Sequence, residues 1–347
     1  MGLVCCKSET DNKNISIIWD NSITLPSLDG INNNKGVAGA FSGFIGDELI
    51  VAGGANFPVG YPWTGSQKKW WSTLYSFLDN RDSEWKIYND LLPMAIGYGV
   101  TVKVGESLLF IGGCDKEKCY SDILLIQKKE DSIIITSEHA YPSLPVPLAN
   151  MAGVIIDNKI YIAGGQESMI QEKSTDHFFV LDIDNTDAGW KRLPSWPGPS
   201  RGYAVCTAQD DMIYLFSGRS YGPDEETIMH TDGFRFDPVE NTWTKLSGHF
   251  PVMAATAITW KDDKIIFLGG VDKILPTNPE HPGFSNAVRI YDTKTNILDS
   301  LTTCPYPVPV TTSVVMFNKE TFYLCSGEIK PGIRSPQIIR GTIKKGD

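Results

Sequence analysis

The sequence predicts an all-β protein, a six-bladed kelch-type β-propeller whose last blade is closed by the N-terminal strand. Three observations predict it. A short hydrophobic strand runs six times into a glycine pair or a Ser-Gly, at Gly53-Gly54, Gly112-Gly113, Gly164-Gly165, Ser217-Gly218, Gly269-Gly270 and Ser326-Gly327. The second glycines lie 59, 52, 53, 52 and 57 residues apart, and a strand-built period near 50 residues marks a kelch-type array. The sixth repeat runs out of chain before its outer strand, and the segment Ile15-Ser16-Ile17-Ile18-Trp19 followed by Leu25-Pro26 carries that strand's signature at the other end of the chain.

Each repeat reads alike. A first strand rich in small residues leads to a tight turn, and a second strand then ends in the glycines. The turns are Gly46-Asp47, Gly105-Glu106, Asp157-Asn158, Asp210-Asp211, Asp262-Asp263 and Asn318-Lys319, residue types that mark hairpins. A third strand ends near an acidic or amide residue, as in Phe178-Phe179-Val180-Leu181-Asp182 and Phe234-Arg235-Phe236-Asp237. The outer strand carries a Trp, often with Leu-Pro: Trp85 with Leu92-Pro93, Trp190 with Leu193-Pro194, and Trp243 with Leu246. The glycines are expected where neighbouring blades crowd together and a side chain would not fit, and the tryptophans where adjacent blades pack. In the sixth repeat residues 337–343 supply a third strand, so the N-terminal strand completes the blade and leaves no edge for a seventh.

Composition excludes several function classes. The chain has 347 residues, a formal charge of −10 and a pI near 5.1, whereas nucleic-acid binding needs a basic face. No Lys/Arg block suits an anionic membrane surface, and no run is long and apolar enough for a membrane helix. A small anionic ligand held by a few local arginines remains compatible with this balance. Residues 1–14 are expected to be a tether. Leu3-Val4-Cys5 before a polar stretch is similar to the end of a lipoprotein signal, which predicts a periplasmic or cell-envelope protein lipid-anchored through that cysteine; a cytosolic protein with two incidental cysteines is the alternative. Residues 15–347 form the single propeller. Cys114 and Cys119 flank a tight turn and are candidates for a disulfide in an oxidising compartment, while Cys206 and Cys325 sit in apolar strands and read as core. The five histidines, at 139, 177, 230, 249 and 281, show no metal-ligand spacing.

In a propeller, strand ends and loops line one mouth of the central channel. The residues after each glycine signal are therefore candidates: Asn56, Cys114, Gln166, Arg219, Asp272 and Glu328. The starts of the first strands form a second set, which includes Tyr98, Asn150 and Arg201. The sixth repeat stands apart. It reads Ser326-Gly327-Glu328-Ile329-Lys330-Pro331-Gly332-Ile333-Arg334, and a Pro-Gly turn between Glu328 and Arg334 can fold the arginine back on the carboxylate. Such a pair in a mouth can transfer a proton beside an anchored anion; a loop salt bridge is the bland reading of the same spacing.

The run Gly327 to Arg334 resembles the Gly-Glu-x-Lys-Pro-Gly-x-Arg motif of the N-acetylneuraminate epimerase (sialic acid mutarotase) family. Gly36-Val37-Ala38-Gly39-Ala40-Phe41-Ser42-Gly43, Ala52-Gly53-Gly54-Ala55 and Tyr98-Gly99-Val100 resemble further segments of that family, in shifted order, as in a cyclically permuted branch. The resemblance implies a six-bladed kelch fold and an isomerase that interconverts the α and β anomers of N-acetylneuraminate. It implies Glu328 as acid/base and Arg334 as the residue holding the substrate carboxylate bidentately. Arg201, in Pro199-Ser200-Arg201, is similar to a Pro-Arg of another family blade. The family's Gly-Arg-Ala-Tyr-Gly stretch is Ala95-Ile96-Gly97-Tyr98-Gly99 here, so its arginine is missing and Arg219 is the candidate substitute. Arg201 and Arg219 are thus expected as anion contacts, Asn56 and Gln166 as contacts to hydroxyls or the N-acetyl group, and Tyr98 as a further substrate contact.

No metal or organic cofactor is expected, and the expected partner is a small sugar acid. A non-catalytic kelch module binding a glycan or protein is the rival, with the aromatic insert spanning Tyr61, Trp63, Trp70 and Trp71 as its surface. That insert is a candidate cap of the mouth or a homodimer contact. A hydrolytic sialidase ranks last, since its repeated Ser-x-Asp boxes have no counterpart here.

Overall fold

In the first four repeats two apolar runs meet at a two-residue turn closed by a left-handed backbone. Asp157 and Asn158, at φ 46° and 58°, and Asp210 and Asp211, at 50° and 57°, adopt the positive angles of a type I′ hairpin. A computed structural model describes residues 15–28, 32–78, 84–136, 141–171, 173–261, 263–276 and 280–345. The expected tether at residues 1–14, with its lipid-anchor cysteine, lies outside them, as do His139 and Asp262.

Six antiparallel four-stranded sheets follow in chain order. Blade one is Phe41–Ile45, Glu48–Ala52, Leu74–Leu78 and Trp85–Tyr88; blade two is Val100–Val104, Ser107–Ile111, Ile123–Lys129 and Ser132–Thr136. Blade three is Ala152–Ile156, Lys159–Ala163, Phe178–Asp182 and Lys191–Arg192; blade four is Val205–Gln209, Met212–Phe216, Gly233–Asp237 and Thr242–Lys245. Blade five is Thr256–Trp260, Lys264–Leu268, Ala287–Asp292 and Ile297–Thr303. Blade six is Val314–Met316, Thr321–Lys330 and Ile333–Lys345, with Ile15–Thr24 as its outer strand. The N-terminal strand pairs from Ile15 with Lys345 to Thr24 with Gln337, broken by a bulge between Asp20 and Ile23. Two short hairpins stand off the blades, Ala55–Asn56 with Lys69–Trp70 and Arg219–Tyr221 with Thr227–Met229.

Apolar side chains alternate between the two faces of each sheet, so every blade buries both faces against its neighbours. Between blades one and two, Phe41 stacks on Phe110 at 4.7 Å. Between blades four and five, Phe216 meets Phe267 edge-on at 4.9 Å. Between blades five and six, Ile266, Leu268, Phe322 and Leu324 share one cluster. The tryptophans tie blades together as expected: Trp190 Nε1 donates to Pro142 O at 2.9 Å and Trp243 Nε1 to Pro194 O at 2.8 Å. The glycine pairs mark the closest approach between blades. Gly164 has φ 66°, and a Cβ there would lie 2.2 Å from the Arg201 carbonyl oxygen.

Around the axis the blades are joined by a closed ring of backbone hydrogen bonds. A residue two or three positions ahead of each first strand takes a left-handed conformation: Gly39, Tyr98, Asn150, Tyr203, Ala254 and Thr311, at φ 49° to 70°. Each N–H donates to the carbonyl of its counterpart in the preceding blade. The distances are 2.7 Å (Tyr98 to Gly39), 2.8 Å (Asn150 to Tyr98), 2.9 Å (Tyr203 to Asn150), 2.9 Å (Ala254 to Tyr203), 3.4 Å (Thr311 to Ala254) and 2.7 Å (Gly39 to Thr311). Five of these residues are not glycine, a conformation that persists only where the surroundings fix it. Just outside this ring, the residue after each glycine signal bridges to the segment that leads into the first strand, as in Gly202 with Arg219 and Val310 with Glu328. The candidate positions are thereby set in a circle around one mouth.

Candidate functional site

The second and third strands of blade six continue past the glycine signal and form a hairpin that projects over the mouth. Its register places Glu328 opposite Arg334 and Lys330 opposite Ile333. The turn is Pro331-Gly332 with Gly332 at φ 78°, which suits a type II turn with Pro and then Gly in the centre. Arg334 Nη1 lies 3.1 Å from Glu328 Oε1, and Gly332 N–H donates to the same oxygen at 2.7 Å. Oε2 has no partner among the described residues. One oxygen is therefore held and the other is open. Arg334 is nearly buried, its guanidinium lies 4.8 Å from the Phe57 ring, and its Nε has no hydrogen-bond partner.

Beside the hairpin is a cavity of about 300 Å³, within the range of small-molecule sites. It reaches from blade four through blades five and six to the insert of blade one and the start of blade two. Lys68, Arg219, Lys273 and Arg334 line it, and Glu328 is the carboxylate among them. This cationic mouth belongs to a chain of net charge −10, so the positive field is local and selects anions. Tyr98, Tyr203, Phe284 and Met253 add apolar walls. Arg219 is held by its rings, 4.4 Å from Tyr203 and 5.1 Å from Tyr221. No ion pair takes up its charge among the described residues, and its buried Nε has no hydrogen-bond partner. Lys68 Nζ sits 4.2 Å over the Tyr98 ring.

Of the residues singled out in the sequence, Glu328, Arg334, Arg219 and Tyr98 share this cavity. Arg201 does not reach it. Its side chain is fully buried, with Nη1 and Nη2 on Asp232 at 2.7 and 3.2 Å, Nη1 also on Ser217 O, and Nε on Pro199 O. Every edge of the guanidinium is used inside the protein, which replaces its expected anion contact by a wedge between blades three and four. Asn56 is buried between Gly36 O, to which Nδ2 donates at 2.7 Å, and Trp71 Nε1, from which Oδ1 accepts at 2.9 Å. Gln166 Oε1 accepts from Asn150 Nδ2 at 3.0 Å within blade three. Both ends of the Asn56 amide, and the oxygen of the Gln166 amide, are committed to the fold. Asp272 binds Arg289 at 3.2 Å. Cys114 and Cys119 face each other across a β-bridge as free thiols rather than a disulfide, and burial pushes them up to about 12 and about 11.

Sequence reasoning missed Lys68, Lys273 and His281, which reach the cavity from loops of no fixed repeat offset. Asp115, Tyr120 and Lys118 hold the turn around the cysteines instead of a ligand. No cluster of three or more His, Cys, Asp or Glu side chains fit for a metal occurs among the described residues. The aromatic insert lies on the hairpin tip: a Cβ at Gly332 would fall 2.4 Å from Pro62 Cγ and 3.3 Å from Trp63 Cζ3. Tyr61 and Trp63 stack at 4.8 Å on its outer side.

The profile described as NANM, N-acetylneuraminate epimerase, matches residues 5–135 and 141–278. Among curated proteins, the N-acetylneuraminate epimerase of Brucella melitensis biotype 1 is 28% identical over 245 residues, 61% of each chain. That of Yersinia pestis strain Pestoides F is 26% identical over 239 residues, 60% of this chain and 59% of the other. That of Haemophilus influenzae strain 86-028NP is 25% identical over 228 residues, 58% of this chain and 59% of the other. The chain thus spans about three-fifths of the length of the relatives it matches. The profile match stops short of the Glu328–Arg334 hairpin.

Proposed function

The chain belongs to the N-acetylneuraminate epimerase family, and from that premise we propose that it interconverts the α and β anomers of N-acetylneuraminate at the mouth beside blade six. The observation that carries this reading is a carboxylate with one held and one open oxygen, set in a cavity of four cations that includes an unpaired guanidinium. A sugar acid needs both an anion anchor and a proton acceptor.

In the proposed reaction Glu328 Oε2 takes the proton of the anomeric hydroxyl. The oxygen's electron pair closes to a carbonyl, the bond from the anomeric carbon to the ring oxygen breaks, and the ring oxygen takes a proton from solvent water. Rotation in the open keto acid exposes the other face of the carbonyl. On reclosure the attacking hydroxyl gives its proton back to solvent, Glu328 returns its proton to the new anomeric oxygen, and the opposite anomer results. No atom is gained or lost, and no cofactor enters the step. Arg334, expected to hold the substrate carboxylate, is instead paired with Glu328 Oε1 at 3.1 Å and holds that side chain in place. Arg219 grips the substrate carboxylate with a planar guanidinium that no internal acid neutralises, and Lys68 adds positive charge beside Tyr98. A positioned acid/base contributes about 10²–10⁴-fold to such a step.

The order of the Glu328–Arg334 motif after the Gly36–Gly43 segment supports a cyclically permuted branch, in which a closed ring keeps one spatial site whatever its starting blade. The insert's contact with the hairpin tip favours a part in the pocket wall over a separate binding face. We place the protein in the cell envelope on the cysteine signal in its first residues. The reading is tested by following proton NMR signals of freshly released α-N-acetylneuraminate. The wild-type protein shortens the approach to anomeric equilibrium; a rate equal to buffer alone sinks the enzyme reading and leaves the binding module.

A further inference from the structure

Resting on that reading of the mouth, we infer that His281 is a neutral hydrogen-bond donor to the bound sugar, presenting Nε2–H to an uncharged sugar oxygen while Nδ1 is locked onto its own loop. The loop Glu280-His281-Pro282-Gly283-Phe284 leaves blade five and lies against the blade-six hairpin. Gly283 N–H donates to His281 Nδ1 at 3.0 Å. A nitrogen that accepts a hydrogen bond carries no proton, so the neutral ring holds its proton on Nε2, on the far side of the imidazole. The ring is 7% exposed, packs edge-on to Phe284 at 5.5 Å, and lines the cavity that holds Glu328. The loop is tied to the hairpin through Phe284 N–H, which donates to Ile329 O at 3.1 Å, one residue from Glu328. The donor is therefore fixed relative to the acid/base group.

Lys330 on the hairpin is the charged group that acts on the ring, and Lys68, Arg219, Lys273, Arg334 and Glu328 line the same cavity. Burial first, and Lys330 second, push the imidazole below its ordinary value near 6.5. The ring stays neutral at pH 7 and adds no further positive charge to a mouth already rich in cations. It polarises a sugar oxygen and does not transfer a proton, since loss of Nε2–H would leave an imidazolate.

The test uses the full chain with ¹⁵N-labelled histidine and N-acetylneuraminate as probe. At pH 7.5 the His281 resonances show the Nε2–H tautomer, and added N-acetylneuraminate moves the Nε2 signal. His281→Asn keeps an acceptor for Gly283 through Oδ1 but does not extend to the Nε2 position. Its melting temperature stays at the wild-type value and its KM rises about tenfold, the worth of one lost hydrogen bond. His281→Gln, whose amide nitrogen reaches that position, recovers part of the loss. An Nδ1–H tautomer, an unmoved His281 signal in an active wild type, or a wild-type KM in His281→Asn overturns this inference alone. A wild type that binds no N-acetylneuraminate overturns it together with the proposed function.

Discussion

Glu328 divides its carboxylate between two tasks, and that division separates the roles of the two nearest arginines. Arg334 is spent on Oε1 and on the Phe57 face, so Arg334→Ala frees Glu328 and lowers kcat more than it raises KM. Arg219 has no such commitment, so Arg219→Ala raises KM for the sugar acid about 10–100-fold, the range for a charge-assisted hydrogen bond of 1.5–3 kcal/mol, with a smaller effect on kcat. Steady-state anomer exchange across substrate concentration separates the two; equal KM effects would contradict the assignment. Distance from a repeat signal made Glu328 and Arg219 legible, because a register locates a residue around the mouth, and the Pro331-Gly332 turn made Arg334 legible as the partner of Glu328. The register does not tell where a long side chain ends. Arg201, ahead of a first strand, turns inward to Asp232, and Asn56 lies one residue past Ala55, which bridges to Ala38, so strand alternation sends it to Gly36 and Trp71.

At the scale of elements, the hairpin and the insert act as one piece. Gly332 at φ 78° has Pro62 where a Cβ would go, so Gly332→Ala combines backbone strain with a clash. About 1–3 kcal/mol is expected for such a residue, spent locally in displacing the tip. The variant stays folded by circular dichroism while exchange activity falls; unchanged activity would mean that the tip does not set Glu328. The Arg201–Asp232 wedge is a stability element. Burial alone would raise the Asp232 carboxyl, but the hydrogen bonds and charge of Arg201 outweigh it and hold it below the usual value near 3.8. A carboxyl lowered in the folded state stabilises fully above that value, and the contribution is lost as pH falls through the folded one. The melting temperature therefore declines below about pH 4, with a shallower decline in Asp232→Asn. Arg201→Met leaves a partly buried carboxylate unpaired and costs about 3 kcal/mol, read by denaturant unfolding.

For the whole molecule, the sequence period made the six blades and the closure by the first strand legible, since strand count and a missing outer strand follow from spacing alone. The ring of left-handed residues was not legible. Tyr98, Asn150, Tyr203, Ala254 and Thr311 share a conformation without sharing a residue type, and only the hydrogen bonds between blades require it. Closure predicts cooperative unfolding. Deleting residues 1–24 removes the outer strand that pairs with Ile333–Lys345 and exposes that strand's edge; the melting temperature drops, and a synthetic peptide of residues 15–24 restores part of it. A deletion variant that melts like the intact chain would contradict closure by that strand. The same closure lets one site draw Arg219 from blade four, the His281 loop from blade five and Glu328 from blade six. The most direct measurement of the central claim is the anomer-exchange rate of N-acetylneuraminate with Glu328→Gln beside the wild type at equal folded concentration. The account predicts a loss of about 10²-fold or more with the fold intact; a folded Glu328→Gln that exchanges anomers at the wild-type rate would contradict it.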